Sequence, residues 1–390
     1  MYSIIKYIVN FAFIFSTIND NYLCDITHND SILKIIMGLF IVVNYRSFIT
    51  FGYTKNKNIP FLLLIGAILV SYVINIAFYA NLKVPINLLV AIISIFVVFS
   101  QEKKPYVYLW FYIFSVLYSS FICIFSDETI TEWTFRKTGG TGDPNEFSTY
   151  VLISIGFLLG YLLKNGIKVI YRIALIMMLF VYVLSLIYAG SKSAMLTFVL
   201  MFLFYIYTII FRFRFKHKVL FICGICIIFI IVGFSLFYFY SEFIFLYLER
   251  FSDNTTANNR FASWSGGWQM FKDNPIFGIG FSNYVNSMLI YKIDIGIDAR
   301  AAHNMYVQCF TELGLLGFFS FLWFLFKPIK YFFKYKILSF EIIMSFIAIL
   351  IMGMTLSQFA EKYIWFVYAM MYNRNMWEIK KINFGKNEKI

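Results

Sequence analysis

The feature that most constrains this chain is a succession of apolar runs, each close to twenty residues long. Hydropathy predicts about twelve of them, at 3–19, 32–49, 60–80, 84–100, 105–125, 147–163, 168–189, 194–211, 219–240, 304–326, 338–357 and 359–374. A helix needs ~20 apolar residues to cross ~30 Å of hydrocarbon, so these runs predict transmembrane helices. Because 61% of the 390 residues are apolar and only 14% are charged, a soluble fold is excluded. We therefore expect an all-α, polytopic protein with a single membrane domain over 1–390.

The positions of the basic residues predict how this domain is oriented. With the N-terminus inside, 22 of the 33 Lys and Arg residues fall in the inner loops, which is the bias of a cytoplasmic face. The run at 359–374 is the weakest, yet the bias survives only if it crosses, so both termini are predicted to be cytoplasmic. The net charge of +13 is then a topology signal, and nucleic-acid binding has no support.

The five cysteines do not suggest a disulfide framework or a metal site. Cys223 and Cys226 form a CxxC inside an apolar run, where small residues that pack helices together are the better interpretation. Cys24 and Cys123 both fall near the predicted outer face, and whether they pair is left open.

Two long outer loops, 126–145 and 241–302, carry most of the polar residues that could perform chemistry. The first ends in Asp143-Pro144-Asn145, where an N-cap aspartate followed by proline is one sufficient explanation. A short outer turn, Ser191-Lys192-Ser193, offers a cation and two hydroxyls at the start of a helix. It is interpreted either as a phosphate site or as a lysine that extends toward water.

The second outer loop contains an aromatic stripe and then a turn. Arg260, Trp264, Trp268 and Phe271 recur at helical spacing, which predicts an amphipathic helix lying on the membrane surface. Trp264, Trp268 and Tyr284 are interpreted equally well as sugar-stacking residues or as anchors among lipid headgroups.

The same loop re-enters the membrane at His303, which is followed by Asn304 and Tyr306 and preceded by Arg300. A neutral imidazole is the usual general base at neutral pH, although an interfacial or helix-capping histidine is the alternative. On a continuous helix Arg300, Tyr306 and Val307 would share the face of His303. The two other histidines, His28 and His217, fit exposed loops.

Glu312 is an ionisable residue within an apolar run, which makes it a functional candidate. On a continuous helix it would lie on the face opposite His303, so a packing or hydrogen-bonding role is the better interpretation.

Four motifs in this order resemble the bacterial O-antigen ligase and O-antigen polymerase family. They are Arg260-x-x-x-Trp264, Asn274-Pro275-Ile276-Phe277-Gly278-x-Gly280, His303-Asn304 and Glu312-Leu313-Gly314-Leu315-Leu316-Gly317. Asp143-Pro144-Asn145 and the Ser-Lys-Ser turn are similar to its upstream elements, so the resemblance covers roughly 140–320.

The resemblance implies an all-helical fold like that of the C-type glycosyltransferases, with no metal or other cofactor. It implies transfer of glycan from an undecaprenyl-pyrophosphate carrier to an acceptor glycan, on the outer side of the bacterial cytoplasmic membrane. His303 would be the base, and Arg260 and Lys192, with Arg300 as a further cation, would hold the pyrophosphate. The family commonly has arginine where this chain has Lys192, which lacks the planar fork of a guanidinium. A flippase and a chain-length regulator of the same pathway are the expected partners.

Three interpretations remain at this point. A polymerase of O-antigen, capsular or other surface polysaccharide is favoured, because no feature suggests recognition of a lipid A core. An O-antigen ligase is the alternative within the family. A membrane transporter or lipid flippase is less well supported, because the polar residues gather outside rather than along a central path.

Overall fold

The structure is a computed structural model, which describes residues 2–19, 31–51, 55–79, 81–126, 136–164, 166–212, 255–290, 301–335, 339–373 and 375–376. Every regular element among these residues is helical. The α-helices, in chain order, are α1 Tyr2–Ile18, α2 Ser31–Val43, α3 Tyr45–Phe51, α4 Lys55–Ile74, α5 Lys83–Phe99, α6 Pro105–Phe125, α7 Pro144–Leu162, α8 Val169–Ala189, α9 Lys192–Arg212, α10 Thr255–Asp273, α11 Tyr284–Ile290, α12 Met305–Tyr335, α13 Phe340–Met352 and α14 Lys362–Tyr372. The all-α expectation is confirmed for the described residues.

Among the described residues, four helices are long and apolar enough to cross a membrane: α6, α8, α9 and the Met305–Lys330 part of α12. The helices α2 and α3, bent by 57° at their junction, form a further span if they are counted together. The run at 219–240 lies outside the described residues, and each of the other predicted runs overlaps a helix. The total of twelve spans stays a prediction.

The helices pack through small residues and aromatic rings. Gly156 and Gly160 of α7 lie against the backbone of α13 near Ser345 and Glu341, and a Cβ on either glycine would come within 2.6 Å of it. The Ser345 hydroxyl donates to the Ile153 carbonyl oxygen at 2.8 Å. Small residues at this spacing allow two helices to approach closely, which is typical of membrane helix pairs.

Two ion pairs and one amide hydrogen bond join helix ends at the face predicted to be cytoplasmic. Lys6 pairs with Glu102, and Lys164 pairs with the buried Glu341 at 2.6 Å. At the C-terminus of α14, the Asn373 amide donates to the Glu102 carbonyl oxygen at 2.9 Å. The end of the last helix therefore lies next to Glu102, and the crossing of this run stays a prediction.

Candidate functional site

The first component of the site is the N-terminus of α7. The Asp143 carboxylate accepts hydrogen bonds from the backbone N–H groups of Asn145 at 2.6 Å and Glu146 at 2.9 Å, and Pro144 occupies the first helical position. The capping geometry expected from the sequence is thus present. Because the Asp143 side chain is exposed while its cap fixes the backbone, the carboxylate occupies a defined position at the surface.

A residue that the sequence interpretation missed, Arg136, joins α7 to the end of α8. Its Nη2 donates to Asn145 Oδ1 at 2.8 Å, and its Nε donates to the Ala189 carbonyl oxygen at 3.0 Å. The backbone N–H of Lys137 donates to the Tyr188 carbonyl oxygen at 3.1 Å. A cation at a helix C-terminus is favourable, since the carbonyl groups there carry partial negative charge.

The Ser-Lys-Ser turn begins α9 directly after this contact. Gly190 ends α8 in the left-handed conformation, and Lys192 is the first residue of α9. The Ser191 side chain is only 1% exposed, and its Oγ lies 3.4 Å from the backbone N of Ala194, where it accepts a hydrogen bond. The Ser191 hydroxyl therefore caps its own helix, and half-buried Lys192 is the charged group that the turn presents.

The helix α10 holds the residues just before His303. The Ser263 hydroxyl donates to the Ala301 carbonyl oxygen at 2.8 Å, and the Trp264 indole N–H donates to the Ala302 carbonyl oxygen at 2.8 Å. The helix predicted from the aromatic stripe is confirmed, whereas its position on a membrane surface stays a prediction. The Trp264 ring thus has a hydrogen-bonding role that the sequence did not suggest.

His303 itself lies outside a helix, with a backbone φ of 45°. The Asn304 side chain caps α12 by accepting from the N–H groups of Tyr306 at 2.9 Å and Val307 at 3.1 Å. The prediction that a continuous helix places Arg300, Tyr306 and Val307 on the face of His303 is therefore wrong, because α12 begins only at Met305. A positive φ is uncommon for any residue other than glycine, and such backbone strain concentrates at functional sites.

His303, Arg260 and Asp143 act on one another electrostatically. Burial lowers the pKa of His303, the positive charge of Arg260 lowers it further, and the Asp143 carboxylate opposes both effects. Burial also lowers the pKa of Arg260, and Asp143 again opposes the shift. The imidazole is therefore held neutral at neutral pH, which is the form that accepts a proton.

The Arg260 guanidinium is half-buried, and its Nε is fully buried without a hydrogen-bond partner among the described residues. Leaving a buried donor unpaired costs ~1–3 kcal/mol, so such groups are rare and call for an explanation. A bound anion would supply the missing acceptor.

The helix α12 is broken at Gly314, where it contacts the turn that follows α10. Gly314 has φ 62° and ψ −165°, a conformation open only to glycine. The backbone N–H of Ile279 donates to the Thr311 carbonyl oxygen at 3.1 Å, and that of Leu315 donates to the Pro275 carbonyl oxygen at 2.9 Å. The turn after α10 thus satisfies the backbone groups that the break exposes.

The buried Glu312 carboxylate also binds the backbone that follows α10. It accepts from the backbone N–H groups of Ser282 at 2.9 Å and Tyr284 at 3.2 Å, and from the Gln308 amide at 3.2 Å. This is the geometry of a packing and hydrogen-bonding residue. The Tyr284 side chain is buried and donates its hydroxyl to the Ser263 carbonyl oxygen at 2.7 Å. Both predicted roles for Tyr284, stacking on sugar and anchoring in lipid, are therefore wrong.

The structure thus brings Asp143, Arg260 and His303 together, with Arg136 connecting Asn145 to the turn of Lys192. Tyr306 instead donates its hydroxyl to the Leu350 carbonyl oxygen of α13 at 2.9 Å. Arg300, Cys24, His28, His217, Cys223 and Cys226 lie outside the described residues. Within the described ranges, no three His, Cys, Asp or Glu side chains group as metal ligands would.

Comparison with known proteins identifies one family. Residues 173–322 match the sequence model of a family described as O-antigen ligase. This range contains Lys192, Arg260, His303 and Glu312, and it ends before α13. A protein of Haemophilus influenzae, described as uncharacterized, is 32% identical over 95 residues, which make up 23% of this chain and 23% of that protein. The chain therefore matches less than a quarter of the length of this relative.

The apolar helices and the family match agree with each other. Members of this family are glycosyltransferase-like enzymes, and the matched range contains α9, α10, α11 and His303. The helices α8 and α9 are apolar and long enough to cross a membrane, as a membrane protein of this family requires. Residues 173–322, less than half of the chain, are therefore similar to the O-antigen ligase family, and the apolar helices indicate a membrane protein.

Proposed function

We propose that this protein polymerises lipid-linked oligosaccharide repeat units of a surface polysaccharide. The donor is a glycan on an undecaprenyl-pyrophosphate carrier, and the acceptor is a sugar hydroxyl of a second glycan. The site faces outward from the bacterial cytoplasmic membrane. The observation that carries the proposal is the Arg260 guanidinium near a neutral His303, because its buried Nε has no hydrogen-bond partner among the described residues.

In the proposed reaction, His303 accepts the proton of the acceptor hydroxyl while the hydroxyl oxygen bonds to the anomeric carbon of the donor. The bond from that carbon to the pyrophosphate oxygen breaks, and undecaprenyl pyrophosphate leaves with the bonding electrons. Arg260 and Lys192 stabilise the charge that develops on the leaving group, since cations already in place act most strongly where water is excluded. Arg300 is proposed as a further cation on sequence grounds alone.

The supporting residues are proposed to act at a distance from the reacting atoms. Asp143 moderates the electrostatic effect of Arg260 on His303. Trp264 and Asn304 fix the backbone on either side of His303. Glu312 fixes the turn that follows α10, and Tyr306 ties the start of α12 to α13.

A ligase is the second candidate, because the matching family is described as O-antigen ligase. A ligase would use the same groups to transfer finished polymer to a lipid A core. Loss of the gene, followed by gel analysis of the surface polysaccharide, separates the two candidates. A polymerase mutant leaves one repeat unit on the lipid acceptor, whereas a ligase mutant leaves none and accumulates carrier-linked polymer. Unchanged polysaccharide would contradict both.

A further inference from the structure

Arg136 lies between two parts of the site that the sequence motifs treat separately. Its guanidinium contacts Asn145, two residues after Asp143, and the carbonyl oxygen of Ala189, three residues before Lys192. No motif of the sequence points to this residue, and the family match begins only at residue 173. Its position follows from contacts between elements that are distant in the chain.

The position of Arg136 is fixed by its own segment as well as by its side chain. The next residue, Lys137, donates its backbone N–H to Tyr188 at 3.1 Å. The Lys137 ammonium donates to the Ser126 carbonyl oxygen at 2.6 Å, at the end of α6. Because the planar guanidinium is already held at two of its nitrogens, little conformational freedom remains for ligand binding to remove.

We propose that Arg136 binds a phosphate of the pyrophosphate in a carrier-linked glycan, and that Asn145 is the positioning residue that orients it. This inference rests on the proposed function. A diester of pyrophosphate is a dianion, and Arg260 and Lys192 are the cations already assigned to it. Lys192 is a point charge without a fork. Arg136 adds a planar guanidinium that contacts the backbone three residues before that lysine, and a guanidinium can hold a phosphate by directed hydrogen bonds.

In a polymerase both substrates contain a pyrophosphate, because the growing glycan and the added repeat unit are each linked to a carrier. The test uses the purified full-length protein with a synthetic undecaprenyl-pyrophosphate-linked repeat unit as donor. One arm uses a carrier-linked acceptor, and the other uses a phosphate-free glycoside of the repeat unit. A defect of Arg136→Gln in both arms assigns the donor, and a defect confined to the first arm assigns the acceptor.

We expect Arg136→Gln to raise the KM of the carrier-linked substrate about 10- to 100-fold, the usual effect of losing a charged hydrogen bond, with a smaller change in kcat. Arg136→Lys should recover part of this loss. Lys272→Gln is the matched control, because Lys272 is an exposed cation on α10, away from the contacts described for Arg136. An unchanged KM in both arms would overturn the proposal.

Asn145→Ala tests the positioning role. It should raise KM less than Arg136→Gln does, and it should add little in the double variant, because the two residues act as one unit. Fully additive effects would overturn that role. If the wild-type protein shows no turnover of the carrier-linked donor in this assay, the proposed function itself fails. Thermal stabilisation by undecaprenyl pyrophosphate, present in wild type and lost in Arg136→Gln, then tests Arg136 alone.

Discussion

Gly278 and Gly314 lie against each other so closely that a Cβ on Gly314 would come within 2.6 Å of the Gly278 backbone nitrogen. The same Cβ would come within 2.5 Å of the Ile276 carbonyl group. The contact joins the turn after α10 to the break in α12. Because both neighbours are backbone, neither can move aside as a flexible side chain would. The turn and the break therefore form one packed unit.

Replacing Gly314 by alanine should destabilise this unit strongly. The added methyl group meets backbone atoms and is forced into a conformation that only glycine adopts, which should cost about 3 kcal/mol or more. Thermal unfolding in detergent would measure the effect. Gly38→Ala is the matched control, because a Cβ there meets nothing within 4 Å in α2. Equal unfolding temperatures for the two variants would contradict the described contact.

Replacing Arg260 by lysine should impair glycan assembly strongly while leaving expression in the membrane normal. The substitution keeps the charge and removes the planar fork together with the buried Nε donor. The measurement is polymer formation in cells and in a purified assay with lipid-linked donor. Wild-type polymer from this variant would reduce Arg260 to a surface cation.

Replacing His303 by alanine should nearly abolish polymer formation, since a general base usually contributes ~10²–10⁴-fold, or roughly 3–5 kcal/mol of barrier. Donor binding should survive, because the cations remain, and chelators should not affect the wild-type protein. His303→Asn is the backbone control, because asparagine tolerates a positive φ better than alanine.

Two results would weaken the assignment of His303. Activity above about a tenth of wild type in His303→Ala would leave less than ~1.4 kcal/mol with this residue. Asp143 would then be the next base to test. Activity in His303→Asn, without activity in His303→Ala, would assign the defect to the backbone.

Replacing Asp143 by asparagine should shift the acidic limb of the pH profile of kcat/KM to lower pH. The carboxylate raises the pKa of His303, so removing its charge lowers that pKa, and the base stays deprotonated in more acidic solution. Asparagine is also a good N-cap, so α7 should keep its start. Arg260→Gln removes an effect of the opposite sign, and its residual activity should show a shift to higher pH. Shifts in the same direction would contradict the described electrostatics.

Reporter fusions after Phe215 and Ser252 should report opposite sides of the membrane. This follows from the 22 of 33 basic residues on the predicted inner side, which place residue 252 in the outer loop 241–302. A phosphatase reporter should be active only at Ser252, and a cytoplasmic reporter only at Phe215. Matching signals from the two fusions would refute the topology.

The elements predicted from sequence are those fixed by short-range physics. The cap formed by Asp143 and Pro144 depends on three consecutive residues, and the long apolar helices depend on composition alone. The break at Gly314 was missed because a glycine within an apolar run is also compatible with a continuous helix. Only the approach of Gly278, 36 positions earlier, requires the break.

The residues of the candidate site likewise divide into those that the sequence could predict and those that it could not. His303 and Arg260 were recognisable as charged or titratable residues inside motifs. Arg136 was not, because its partner Ala189 contributes a backbone carbonyl, and any residue type at 189 would provide one. Burial of Tyr284 was equally hidden, since the hydroxyl that makes tyrosine suitable for an interface here donates to the backbone of Ser263.

The left-handed backbone at residue 303 places selection for stable folding in conflict with selection for the proposed proton transfer. Selection for folding alone favours glycine at such a φ, because glycine has no Cβ to crowd the backbone, and asparagine, because its short polar side chain can hydrogen-bond locally. Selection for proton transfer favours histidine. A library with every amino acid at this position should therefore yield two different populations: glycine and asparagine among well-folded clones, and histidine among clones that build polysaccharide. Under the role proposed for His303, this chain meets the second requirement at the expense of the first.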